Sequence, residues 1–263
     1  MKIVLLGYGK MGQLIEKFAV KRGHDITLII DMHNRESITA DDLSDADIAI
    51  DFSEPASAIR NIHLCFDANL PLVVGTTGWY EQLGEIKSLC LEKEQALLYG
   101  SNFSIGVNIF FHINKLLAKA MNPYKQYDVQ VEEIHHIHKL DAPSGTAITI
   151  AEGILEGIDS KTRWVNDVVG EGEERIPKPE ELLIESLRIE EVPGTHTVLY
   201  SSEVDQIEFK HTAHNRAGFA LGAVVAAEWL FGKKGFFQVT EIFDFETSLN
   251  PSFGGEIKPD DRA

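Results

Sequence analysis

Apolar and polar positions follow two different rhythms along this chain, and the change comes near Asn122-Pro123. In the first half, short apolar runs alternate with helical stretches. Lys2 to Leu6 reads as a strand, and Gln13 to Lys21 places Leu14, Ile15, Phe18 and Ala19 on one helical face. Ile26 to Ile30, Asp47 to Phe52, Pro71 to Val74 and Ala96 to Tyr99 are further strands. Between them, a helix opened by Glu54 or Pro55 runs to Ala68 with Ile59, Ile62 and Phe66 on one face, and Trp79 to Glu94 is helical too. Alternation this regular means a parallel, doubly wound sheet. A long helix, Ile105 to Met121, then presents Val107, Phe110, Phe111, Asn114 and Leu117 on one face.

The second rhythm is that of longer strands. Tyr127 to His135 is one, followed by a helix that starts after Ser144 and ends near Gly157. Trp164 to Pro179 is charged and rich in Gly and Pro, the pattern of a loop. Ile184 to Val192, Thr195 to Ser201 and Gln206 to Thr212 are strands, with turns at Pro193-Gly194 and Glu203 to Asp205. They predict an antiparallel or mixed sheet, separate from the parallel one, with a face or edge open to subunit association. Ala217 to Leu230 is an apolar helix, and the polar stretch from Pro251 predicts a loose tail.

Glycines punctuate the strand ends. Gly7-Tyr8-Gly9-Lys10-Met11-Gly12 lies between a strand and a helix, where Gly-x-Gly-x-x-Gly marks a dinucleotide site. Gly7 makes the tight turn, Gly9 lets a pyrophosphate approach the backbone, and Gly12 lets helix pack on strand. Asp31 follows about 20 residues later, where an acidic side chain takes the ribose hydroxyls. It disfavours a 2′-phosphate unless a basic neighbour compensates. Met32 follows it directly, with His33 and Arg35 beyond, so NADH is expected to bind at least as well as NADPH. Gly75-Thr76-Thr77-Gly78 and Gly100-Ser101-Asn102-Phe103-Ser104 also follow strands, where ligands of open α/β sheets lie.

The densest chemistry is Glu133-Ile134-His135-His136-Ile137-His138-Lys139-Leu140-Asp141-Ala142-Pro143-Ser144-Gly145-Thr146-Ala147. Three of the ten histidines fall within it, beside a lysine. Ser144 caps a helix whose first N–H groups, at Gly145 and Thr146, attract anions. In a chain of net charge −17 this local cationic cluster stands out, and a ligand carrying at least one carboxylate is its natural guest. Lys139 and a histidine would hold or protonate it. On a strand, His136 and His138 would share a face and His135 the other. That geometry disfavours a metal site, which needs convergent ligands, and neither cysteine lies nearby.

Bulk properties narrow the class. The length of 263 residues fits one large or two modest domains. No apolar run approaches the ~20 residues of a membrane span, and the start runs straight into the glycine loop instead of a signal peptide. Cys65 and Cys90 fit no metal spacing and read as buried thiols. The acidic balance argues against nucleic acid. The expected compartment is the cytoplasm.

As a whole, the string from Glu133 to Ala147 closely resembles the signature of the dihydrodipicolinate reductase family. The resemblance spans nearly the whole chain. It includes Met11-Gly12, Asp51-Phe52-Ser53, Val74 to Gly78, Asn102 to Asn108, His211-Thr212-Ala213-His214-Asn215-Arg216, and Phe219-Ala220 with Gly222-Ala223. It implies an α/β Rossmann-type domain over 1–103, completed by 216–263, and an α+β domain over 104–215 for substrate binding and oligomerisation. It implies NADH- or NADPH-dependent reduction of 4-hydroxy-tetrahydrodipicolinate, with loss of water, by a homotetramer. By position, His135 matches the family's acid/base histidine and Lys139 its proton donor. His136, Gly145 and Thr146 match substrate contacts. Gly7, Tyr8, Gly9, Lys10, Met11, Gly12, Asp31, Gly75, Thr76, Thr77, Gly100, Ser101, Asn102 and Phe103 match cofactor contacts. The glycine loop is one residue shorter than in many members and has Lys10 in place of their Gly-Arg pair. Met32 stands where several carry an arginine for the 2′-phosphate.

Rival readings account for parts of the chain: another nicotinamide-dependent dehydrogenase of amino-acid-like substrates, a non-catalytic NAD sensor, or a histidine metal site.

Overall fold

Six strands form one wholly parallel sheet, drawn from the first half of the chain and one late segment. A computed structural model describes residues 1–170 and 175–243. Its first half runs β1 (Lys2–Leu6), α1 (Lys10–Lys21), β2 (Asp25–Ile30), β3 (Ile48–Asp51), α2 (Pro55–Asp67), β4 (Leu72–Val74), α3 (Leu83–Glu92), β5 (Ala96–Tyr99) and α4 (Ile105–Met121). There follow β6 (Asp128–His135), α5 (Gly145–Leu155), β7 (Arg163–Val168), β8 (Glu181–Arg188), β9 (Thr195–Ser201), β10 (Gln206–Thr212), α6 (Ala217–Leu230) and β11 (Gly235–Gln238). The parallel sheet has the order β11-β5-β4-β3-β1-β2.

Its strands are continuous apolar runs because both faces are covered. Ile3, Leu5, Ile50 and Val73 face a core shared with Ile15 and Ala19 of α1 and the alanines of α6. Val4, Leu6, Ala49 and Leu72 face the opposite way, towards Ile62 and Cys65 of α2 and Ile86 and Cys90 of α3. The late helix α6 therefore packs on the first sheet, and β11 extends it beside β5. A Cβ on Gly222 would sit 1.7 Å from the Phe103 carbonyl, so α6 presses directly on the loop after β5.

The second sheet has the order β10-β9-β6-β8-β7. It is mixed: β6, β8 and β7 run parallel, while β9 is antiparallel to both β6 and β10. One face, with Val129, Val131, Leu182, Ile184, Val198 and Tyr200, packs on α4 and α5 through Phe110, Ala118, Ile150 and Ile154.

Several sequence expectations change here. Within the stretch expected to be a loop, Arg163–Val168 is a strand. Its charges hide an alternation that matters only at a sheet edge, where it pairs with β8. The strand expected at Ile184 to Val192 is Glu181–Arg188. The Ile189 N–H makes the last ladder bond, to the carbonyl of His135, and a turn from Ile189 to Val192 follows. Pro193-Gly194 joins no hairpin: β8 and β9 lie on opposite sides of β6, and the connection crosses the end of β6. Strand β6 itself ends at His135, so His136 and His138 occupy no strand face. The helix α1 starts at Lys10 rather than Gln13, and Trp79 to Glu94 divides into a short 3-10 turn and α3. The tail from Pro251, and 171–174 of the expected loop, lie outside the described residues.

Candidate active site

The C-terminal ends of β1, β2 and β3 open into a cavity of about 590 Å³. Its lining includes Gly7, Tyr8, Gly9, Asp31, Met32, Arg35, Phe52 and Ser53. Gly7 has φ +92°, and a Cβ there would strike the Phe52 carbonyl at 2.4 Å. A Cβ on Gly12 would meet the Gly7 carbonyl at 2.3 Å, so helix and turn touch backbone to backbone. Around Gly9 there is open space. These features suit a dinucleotide whose pyrophosphate lies on the loop. Lys10 is exposed and opens α1, while Met11 packs against the first core.

At the far end of this cleft, Asp31 is held by local bonds. Its Oδ1 accepts from the His33 N–H at 2.8 Å, and its own N–H donates to Asn34 at 2.9 Å. Met32 is 75% exposed. Arg35 donates to Glu54 Oε1 at 2.5 Å and to Ser57 Oγ at 2.8 Å.

The other loops are tied down from below. Asp51, fully buried at the end of β3, accepts from the Ser53 N–H at 2.9 Å, Thr76 Oγ1 at 2.9 Å and Asn61 Nδ2 at 3.1 Å. Burial pushes its carboxyl up, and the Ser53, Asn61 and Thr76 donors offset only part of that. Gly75 lies under the Phe52 ring, where a Cβ would come within 2.1 Å. Thr77 and Ser101 are exposed, Gly100 is packed against Val239, and Phe103 is buried edge-on to Phe52.

On the second sheet, the alternating apolar face of β6 turns polar at its last positions: Val129 and Val131, then Glu133 and His135. Glu133 lies opposite Ser186 on β8 and His196 on β9, and His196 lies opposite His211 on β10. The buried Glu133 carboxylate accepts from the Ser144 N–H at 3.1 and 3.0 Å and from Ser186 Oγ at 2.9 Å. Arg188 Nη2 donates to it at 3.2 Å, and His135 Nδ1 stands 3.3 Å away. Burial alone would raise the Glu133 carboxyl. The donors of His135, Ser144 and Ser186 outweigh it and hold the group well below the carboxylate range. His196 is pushed down to about 3 by burial and by neighbouring His135, and its Nε2 lies 3.1 Å from Ser144 Oγ.

Ser144 caps α5 as the sequence indicates, its Oγ accepting from the Ala147 N–H at 3.1 Å. Gly145, just beyond, is exposed, and a Cβ there would meet nothing. Lys139 Nζ binds both oxygens of Asp141 at 2.7 Å, and Arg188 Nη2 donates to the Asp141 carbonyl at 2.7 Å. His136 keeps a buried Nδ1 with no partner, while His138 points outward to Glu191 at 3.6 Å. The two sheets meet at the site itself: Asn102 Nδ2 donates to Thr146 Oγ1 at 3.4 Å.

Among the described residues, the three-histidine string is not the group that could hold a metal. Glu133, His135 and His196 are, with ligand atoms within 4.8 Å of one another. The Glu133 oxygens already serve Ser144, Ser186 and Arg188, and the guanidinium adds a positive charge where a cation would sit. Sequence reasoning passed over Glu133, Ser186, Arg188 and His196 as site residues. A signal existed for three of them: Glu133, Ser186 and His196 each break a period-2 apolar row, Val129/Val131, Leu182/Ile184 and Val198/Tyr200. Arg188 carried no such signal.

The chain matches known proteins over most of its length. The family model for dihydrodipicolinate reductase, N-terminus, matches residues 1–103, and that for its C-terminus matches 106–243. A 4-hydroxy-tetrahydrodipicolinate reductase of Christiangramia forsetii is 47% identical over 92% of this chain and 97% of its own. One of Neisseria gonorrhoeae is 31% identical over 76% of this chain and 73% of its own. Among solved structures, a dipicolinate-bound dihydrodipicolinate reductase of Paenisporosarcina sp. TG-14 shares the fold, with TM-score 0.74 at 23% identity, covering 92% of this chain and 99% of its own.

Proposed function

The chain belongs to the dihydrodipicolinate reductase family, and on that premise we propose that its two sheets divide one reaction, the first holding NADH or NADPH and the second a dicarboxylate. The reaction is the reduction of 4-hydroxy-tetrahydrodipicolinate, with loss of water, to tetrahydrodipicolinate in the diaminopimelate route to lysine. The observation that carries this is the Asn102–Thr146 contact, which joins the loop after β5 to the anion-attracting start of α5.

When bound, the nicotinamide supplies the hydride. Gly7 to Gly12 would hold the pyrophosphate by their backbone, Asp31 would take the ribose hydroxyls, and Gly75 to Thr77 with Gly100 to Phe103 would border the nicotinamide. NADH is held at least as well as NADPH, because the nearest guanidinium, Arg35, is already engaged by Glu54 and Ser57. Substrate carboxylates must find partners as they leave water. The N–H groups at Gly145 and Thr146, the Thr146 hydroxyl, His136 and Lys139 provide them. Lys139 exchanges Asp141 for the substrate. Lys139 Nζ then delivers the proton to the electron-rich position that reduction creates, and His135 assists as acid/base.

We place the division at 1–103 with 216–263, and at 104–215; of these, 171–174 and 244–263 lie outside the described residues. No described helix is long and apolar enough to cross a membrane. The protein works in the cytoplasm as a homotetramer. Ile109, Ile113 and Leu116 support assembly: they form an exposed apolar stripe along α4.

The test is oxidation of NADH and NADPH in the presence of substrate made in situ from pyruvate and aspartate semialdehyde by the preceding synthase. Oxidation that depends on the synthase is expected. Its absence, with both cofactors shown to bind, would overturn the assignment.

A further inference from the structure

We propose that Glu133 is a positioning residue that aligns His135 and the start of α5 for the substrate; this rests on the reductase reading above. Three observations carry it. First, the carboxylate is fully buried on the sheet face whose earlier positions, Val129 and Val131, pack in the apolar core. Second, it takes hydrogen bonds from separate elements, the Ser144 N–H before α5 and Ser186 Oγ and Arg188 Nη2 on β8, while His135 Nδ1 on its own strand stands 3.3 Å away with no hydrogen-bond partner. His196 Nε2, on β9, lies further off at 3.8 Å. Third, these neighbours lead on to the substrate side. Ser144 caps α5, whose first turn carries the Gly145 and Thr146 N–H groups, and Arg188 grips the Asp141 carbonyl, next to the carboxylate that holds Lys139.

The charge and the shape of Glu133 do separable work. An anion opposite His135 Nδ1 favours the tautomer with its proton on Nδ1, which leaves Nε2 as the lone-pair nitrogen. The two oxygens straddling the Ser144 N–H fix the direction in which α5 begins. Glutamine cannot replace this. Its amide would turn two N–H groups towards neighbours that are themselves donors, leaving buried donors unpaired.

The experiment compares wild type, Glu133→Gln and Glu133→Asp in steady-state turnover, NADH binding by fluorescence, and dipicolinate binding. In Glu133→Gln, a fall in kcat of about 100-fold and weaker dipicolinate binding are expected, with NADH affinity unchanged, as a shift of about an ångström in reacting groups produces. Glu133→Asp, which keeps the charge, should recover part of kcat. Glu133→Gln with NADH bound, kcat and dipicolinate affinity near wild type, would overturn the proposal. Should Glu133→Gln not fold, the imidazole nitrogen shifts of His135 in the wild-type protein decide instead: Nδ1–H supports the proposal and Nε2–H overturns it. Wild-type protein that binds NADH but lacks synthase-dependent turnover would count against the reductase reading alone, because the His135 tautomer is read without turnover.

Discussion

Asp51 in the first sheet and Glu133 in the second are carboxyl groups buried near the end of a central strand, and the two are shifted in opposite directions. Asp51 and Glu133 are both fully buried, and both collect donors from the loops above them. Asp51 has only uncharged partners, the Ser53 N–H, Thr76 and Asn61, and burial leaves its carboxyl raised. Glu133 adds Arg188 and His135 to its neutral donors, and its carboxyl lies well below the ordinary range. Burial alone therefore does not fix the direction of the shift; the balance between burial and the donors around each carboxyl does. The contrast matches the two tasks. Under the proposed function, the first region would cradle the cofactor by backbone and glycine, while the second would receive a doubly charged guest.

Removing the Lys139 cation, which lies in the second region only, should separate the two regions most severely. Lys139→Ala should lower kcat by about 10²- to 10⁴-fold, the span of general acid catalysis. NADH affinity, measured by fluorescence, should stay close to wild type. An equal loss of NADH binding would place Lys139 in the wrong region.

Stability sharpens the comparison next. Glu133→Gln leaves Arg188 without its anion and should cost about 3 kcal/mol at neutral pH, read by urea denaturation. For Glu133, whose folded carboxyl is depressed, the stabilisation is present above the unfolded value of about 4 and is lost as pH falls through the lower folded one. For Asp51, whose folded carboxyl is raised, the sign is reversed. Its contribution is present below about 4 and is lost as pH rises through the folded value. The stability of Asp51→Asn relative to wild type should therefore improve from acid towards neutral pH, while that of Glu133→Gln should worsen. Parallel trends for the two variants would erase the distinction between the sites.

The smallest effect concerns the outer end of the cofactor cleft. Arg35→Ala should lower NADPH turnover a few-fold, roughly the worth of one exposed charge contact, and leave NADH turnover in place. A change of equal size with both cofactors would show that Arg35 senses no 2′-phosphate.

Much of this was legible in the chain because the signals are local. Gly7, Gly9 and Gly12 mark a strand-to-helix turn whose steric needs act over a few residues. Ser144 marks a cap for the same reason, and the apolar rhythm of β1 to β5 reports strands covered on both sides. Arg163–Val168 was illegible because an edge strand need bury little, so its charges masked the alternation. Pro193-Gly194 misled because a turn sequence signals a change of direction without naming the strand that lies beyond it.

The sequence by itself determined the parallel sheet, the glycine loop, the helix start at Ser144 and the family signature, all set by residues close together along the chain. Only the tertiary structure decided that β6 would lie between β8 and β9, bringing Ser186, Arg188 and His196 around Glu133. Strand order is a property of sheet pairing. It depends on contacts between residues more than 50 positions apart, such as Glu133 with Ser186 and Arg188, and no local pattern along the chain encodes which strands become neighbours.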